Sequence, residues 1–184
     1  ALKRQQFRWA KGSFQVVRKL GWSLLTARQP LHRRVLGFLH ISGYLTHPLA
    51  LASLLLSLPI VLMHGRTPVS WDLLGWLGVT PFLVAFLGQL RLRRDALWRM
   101  RDYPLVTLGL IGMALGNTRA FLEVLAGRAS EFQRTPKFSP EARAASSYAL
   151  PLEWTTIGEI LLALYALATG LLAVEEAPGL APML

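Results

Sequence analysis

Gln5, Arg8 and Trp9, within Gln5-Gln6-Phe7-Arg8-Trp9, are the residues of this chain whose types and spacing could do chemistry. On a helix they fall at i, i+3 and i+4, so their side chains share one patch. An amide bonds sugar hydroxyls or phosphate oxygens, a guanidinium grips a diphosphate through two donors, and an indole face accepts the apolar side of a pyranose ring. The trio therefore suits a sugar diphosphate and a second sugar.

Such a patch needs an element to hold it. Arg4, Arg8, Lys11, Gln15 and Arg18 recur at steps of four and three, with Phe7, Ala10, Phe14, Val17 and Leu20 or Leu24 opposite them, which predicts an amphipathic helix lying in a headgroup plane. Beyond this helix the chain turns apolar over membrane length. The composition agrees: 53% of the 184 residues are hydrophobic and only 16% are charged, well under the roughly 25% of soluble domains. The net charge is +10, gathered in blocks, and the first carboxylate is Asp72. The apolar runs make anionic membrane lipids the expected partner of this charge and argue against nucleic acid. The chain has no cysteine, hence neither a disulfide framework nor a thiolate metal site.

The expected fold class is an all-α polytopic membrane protein. Residues 1–36 form basic interfacial helices carrying the Q-x-x-R-W pattern. Residues 37–101 hold two transmembrane helices, about Gly37 to Met63 and Trp71 to Leu90, and a basic flank from Arg91 to Arg101. Residues 102–126 contain three glycines and end their uncharged run near Thr118, which predicts a re-entrant or interfacial segment. Residues 127–149 are a basic loop, and residues 150–184 hold a third transmembrane helix and an acidic tail. The distribution of Lys and Arg puts the amino-terminal end and the Arg91–Arg101 block on the cytoplasmic side. The expected location is multi-pass in a plasma membrane, the bacterial inner membrane.

Inside the first expected span His40, Tyr44 and His47 fall at i, i+4 and i+7, a polar stripe that suits a sugar-lined channel or hydrogen bonding between helices. Glu153, Thr156 and Glu159 form a second stripe, which we read as structural pairing. Trp71, Trp76, Trp98 and Trp154 lie near span ends and read as interfacial anchors. No residue set here has metal-ligand spacing.

The Q-x-x-R-W pattern on a basic helix before membrane spans, together with Arg128–Phe138 (R-A-S-E-F-Q-R-T-P-K-F), resembles the membrane-embedded family 2 glycosyltransferases: cellulose synthase, hyaluronan synthase and the glucomannan and mannan synthase-like enzymes. The resemblance covers nearly the whole chain. It implies that Trp9 meets the acceptor glycan and that Gln5 and Arg8 approach the nucleotide diphosphate of the donor. The loop is similar to the family's F-x-V-T-x-K gating element, which implies that Phe132, Thr135 and Lys137 fold over the nucleotide. Arg134 stands where the family has Val, and Pro136 stiffens the step before Lys137. The resemblance also implies an upstream catalytic α/β domain before Ala1, carrying the general base and a divalent cation, Mg or Mn. On that reading the chain is a carboxy-terminal membrane piece of a longer polypeptide, with a nucleotide-sugar donor and a β-glycan acceptor as partners and no catalytic residue or cofactor of its own. A non-processive enzyme acting on a lipid, and a non-enzymatic transporter or scaffold subunit, are the alternatives.

Overall fold

A computed structural model describes residues 2–63, 72–92, 95–128 and 154–180. Every regular element among them is helical: α1 (Leu2–Leu25), α2 (Leu31–Ile41), a 3-10 turn (Gly43–Leu45), α3 (Thr46–Met63), α4 (Asp72–Leu92), α5 (Ala96–Met100), α6 (Tyr103–Gly112), α7 (Ala114–Leu125) and α8 (Trp154–Glu176). The all-α expectation holds.

The chain divides into two compact units. The first comprises Ala1–Leu49 and Met113–Gly158. Here α1 is one uninterrupted helix of 24 residues, and it turns back into α2 through the segment ending at Pro30, whose carbonyl accepts the N–H groups of Arg33 and Arg34 at 3.0 and 3.3 Å. Proline suits that place because it removes only a donor that a helix start leaves unused. Two glycines let the helices approach: a Cβ on Gly21 would stand 3.3 Å from the Phe38 ring, and one on Gly37 3.3 Å from Leu24. Ser13 Oγ donates to the Ile41 carbonyl at 2.6 Å, satisfying one of the acceptors left open where α2 ends.

The first apolar run is not one helix from Gly37 to Met63, as the sequence suggested. It breaks after Ile41, and the apolar helical stretch is Gly43–Met63. Pro48 supplies the reason: its ring would collide with the Tyr44 carbonyl in a continuous α-helix, whereas in the first turn of α3 its missing N–H costs nothing. The 21 residues of Gly43–Met63 extend roughly 30 Å, the thickness of a hydrocarbon core.

Across the first unit α7 packs along α1 in the same chain direction. Ala10 and Phe14 of α1 and Ala120 and Val124 of α7 form the core, with Phe7, Tyr44, Leu45 and Phe121 around it. Phe14 meets Phe121 edge to face at 5.1 Å. Gly158 admits the first turns of α8, since a Cβ there would lie 2.7 Å from Leu115.

The second unit comprises Ala50–Gly112 and Glu159–Leu184. Its core joins α3 to α8 and the turn after it through Val61, Ala173, Ala177 and Leu180. Phe82 of α4 meets Tyr103 of α6 edge to face at 5.2 Å. Many large apolar side chains point outward, among them Leu55, Leu62, Leu87, Leu161, Leu167 and Leu171, each half exposed or more. Helices apolar on their outer faces are at home in lipid, not water. Among the described residues two helices, Gly43–Met63 and Trp154–Glu176, are long and apolar enough to cross a bilayer, and the chain is a membrane protein. The expected span near Trp71–Leu90 is helical as α4, which runs 21 residues from Asp72 to Leu92. Ala96–Gly109 and Ala114–Leu125 make a bent pair, 46° apart, that counts as a third span only if taken as one. Helix α7 carries Arg119 and Glu123 and lays its inner face on amphipathic α1.

Pro59 leaves Leu55 without its intrahelical donor, and in α3 this defect is repaired from outside. Tyr165 Oη of α8 donates to the Leu55 carbonyl at 2.8 Å and accepts from the Leu58 N–H at 3.3 Å. A carbonyl unsatisfied at membrane depth is costly. Tyr165→Phe is therefore expected to destabilise the protein by about 1 kcal/mol, in the range for hydrogen bonds between membrane helices. Unfolding titrated with SDS against the parent protein checks it, and an unchanged midpoint would show that α3 tolerates the defect alone.

Candidate functional site

Because α1 is continuous through Leu2–Leu25, Gln5, Arg8 and Trp9 do occupy neighbouring positions on one rim. Gln5 and Arg8 are half-buried, and Trp9 keeps 53% of its surface exposed. The other aromatic residues of the amino-terminal half of α1 are drawn into packing, Phe14 into the core and Phe7 beside it. Trp9 thus offers a ring face where its neighbours do not.

Gln6, to which the sequence alone assigns no role, is the glutamine that ties the site to the membrane helix. Its Oε1 accepts a hydrogen bond from Tyr44 Oη at 3.1 Å. Tyr44 also stands edge-on to Phe14 at 6.5 Å and beside His47 at 5.8 Å. Of the expected stripe His40, Tyr44 and His47, only the last two come together. His40 lies exposed on α2, beyond the 3-10 turn, because the break forced by Pro48 destroys the single-helix register on which the trio depended.

Lys11 corrects a second expectation. Periodicity placed it on the polar face with Arg4 and Arg8, yet its side chain is 5% exposed and its Nζ pairs with Glu123 Oε2 at 2.8 Å. Glu123 Oε1 meanwhile accepts from Arg119 Nε at 2.9 Å, one helical turn back. The Arg119 guanidinium lies 5.6 Å from the Phe7 ring and 5.7 Å from the Trp154 ring. Burial alone would raise the Glu123 pKa, but the hydrogen bonds and charges of Lys11 and Arg119 outweigh it and hold the carboxyl below its ordinary range. Glu123 is the one carboxylate in the sequence between Tyr103 and Arg128, and Arg119 four residues before it was the available signal of a pairing role. The partner on α1 had no such signal. Lys11 and Glu123 fasten α1, and with it Gln5, Arg8 and Trp9, to α7.

Phe132, Thr135 and Lys137, with Arg134, lie outside the described residues, as does Glu153 of the second stripe. Among the described residues no three His, Cys, Asp or Glu side chains gather in a way that could hold a metal ion. Trp98 is 64% exposed with the Arg101 guanidinium 3.2 Å over its ring, and Trp154 is 60% exposed. Trp22, absent from the sequence-derived anchors, is more exposed than either at 79%. Comparison of the chain with protein families, curated proteins and solved structures finds no match.

Proposed function

We propose that this chain is the membrane portion of a glycosyltransferase that moves a sugar from a nucleotide diphosphate donor to a β-linked glycan acceptor. One arrangement supports it above the others: Gln5, Arg8 and Trp9 share a rim of an amphipathic helix fastened to α7, with the Trp9 ring left exposed, in a chain that also carries bilayer-length apolar helices. In this reading Arg8 and Gln5 offer donors to the diphosphate, where charge accumulates as the sugar leaves, and Trp9 seats the acceptor ring. Thr135 and Lys137 close over the same phosphates and exclude the water that would hydrolyse the donor. The general base, and the divalent cation that would polarise the diphosphate, belong to the upstream α/β domain that the resemblance implies. No metal ligand is assigned to this chain. The separated positions of His40 and of Tyr44 with His47 do not favour one polar row along a product channel.

The test uses the full-length protein in membrane vesicles with labelled UDP-glucose and GDP-mannose. Label is expected in a polymeric product from one of them, and absence of transfer from a panel of nucleotide sugars would sink the assignment. Thr135→Ala combined with Lys137→Ala should weaken nucleotide retention by roughly one to two orders of magnitude, the loss of a charge-assisted contact worth about 1.5 to 3 kcal/mol. Unchanged affinity would make residues 128–138 an ordinary basic connector.

A second reading is favoured by a specific observation. Leu2, Trp9, Val16 and Leu20, at steps of seven, seven and four, form an exposed apolar stripe on α1. Such a stripe suits a helix half-sunk in lipid, with Trp9 as anchor in a non-enzymatic scaffold.

A further inference from the structure

Arg18 and Lys19 of α1 and Arg128, just past α7, edge a cleft of about 500 Å³ whose wall is completed by Gln15, Val124 and Gly127. The end of α7 builds it. Gly127 takes φ +67°, a left-handed conformation that glycine adopts without strain, so the chain turns back on the helix. The Gly127 N–H then donates to the Val124 carbonyl at 3.1 Å and the Arg128 N–H to the Glu123 carbonyl at 2.9 Å. Arg18 Nη1 donates to the same Val124 carbonyl at 2.6 Å, which fixes its guanidinium at the cleft.

Among the described residues three cations converge here without a compensating carboxylate. Glu123, the acidic residue that α7 carries, is already engaged by Lys11 and Arg119, and among the described residues neither Lys19 nor Arg128 has an ion-pair partner. Like charges around one concavity focus a positive potential that an anion relieves. Trp22 supplies an independent indication of where the cleft lies. It follows Arg18 and Lys19 by one turn and is 79% exposed, as expected of an indole seated at headgroup level. Lys19 is eleven residues beyond Arg8, about 16 Å along the helix, so this is a different place from the Gln5, Arg8 and Trp9 rim.

We propose that the cleft binds a phosphate-bearing anion, held by Lys19, Arg128 and the remaining nitrogens of Arg18, with the Gln15 amide as a neutral donor. An anionic lipid headgroup and a free phosphate share this chemistry. The site stands independently of the glycan-transfer reading.

The experiment measures binding of short-chain phosphatidylglycerol to the full-length protein in a zwitterionic detergent, with inorganic phosphate as competitor. Lys19→Gln with Arg128→Gln is expected to weaken binding roughly twentyfold to thirtyfold, from about 1 kcal/mol for each cation at an anionic surface. Arg28→Gln with Arg33→Gln removes the same charge elsewhere and should leave binding nearly unchanged. Lys19→Arg with Arg128→Lys keeps the charge and should keep most of the affinity, which separates a lost site from a lost fold. Failure of inorganic phosphate to compete identifies a lipid site, and competition at equal strength identifies a free-phosphate site. Equal weakening in the two charge-removal variants, or none in Lys19→Gln with Arg128→Gln, would overturn the proposal.

Discussion

On the glycosyl-transfer function proposed above, replacing Trp9 with alanine is expected to reduce sugar transfer by the full-length protein by at least about tenfold, because a ring face is what Trp9 supplies and alanine removes all of it. Trp9→Phe should retain part of the activity, since a smaller ring preserves part of the stacking area. Trp9 is exposed and makes no contribution to the core formed by Ala10, Phe14, Ala120 and Val124, so neither change should disturb the fold. The measurement is product formed per protein molecule in vesicles, beside the fraction of protein that stays with the membrane. Acceptor binding and anchoring then separate. An acceptor platform loses transfer while the protein remains in place, whereas an anchor in line with Leu2, Val16 and Leu20 loosens membrane association and leaves transfer per bound molecule at the parent rate.

The elements that hold this rim differed in how visible they were beforehand. Helix α1 was legible because its amphipathic period is regular over six turns, and the last span was legible from apolar length alone. The break between α2 and α3 was not, because an apolar stretch interrupted by Pro48 keeps its hydropathy while losing its register. That single proline decided which members of His40, Tyr44 and His47 meet. Lys11 was misplaced for another reason. Period assigns a residue to a face but says nothing of what covers the face, and Glu123 arrives 112 positions later in the chain. The same limit hid the hydrogen bond from Tyr165 to the Leu55 carbonyl, where a proline on one helix creates the vacancy that a tyrosine on another fills. Q-x-x-R-W was visible as a pattern, and folding adds that Gln6 within it, not Gln5, accepts from Tyr44.

Breaking the fastening of α1 to α7 should have the larger effect on stability. Glu123→Gln leaves Lys11, whose side chain is 5% exposed, without its counter-charge, and removing one partner of a buried pair typically costs about 3 to 5 kcal/mol. Arg119 is 43% exposed, so its share of the loss is small, about 1 kcal/mol or less. The signature is reversal: Lys11→Met added to Glu123→Gln removes the stranded ammonium and fills its space with an apolar chain of similar length, so the double variant should recover most of the loss. Acid supplies a second route to the same state. The Glu123 carboxyl titrates lower in the folded protein than in the unfolded chain, so its stabilisation is fully present above the unfolded value, about pH 4.3, and is lost as the pH falls through the lower folded value. Thermal unfolding in detergent between neutral and acidic pH is therefore expected to show a steeper acid loss for the parent than for the double variant. Parallel pH profiles for the two, or a Glu123→Gln protein as stable as the parent at neutral pH, would mean that α1 is held to α7 by the packing of Ala10, Phe14, Ala120 and Val124 alone.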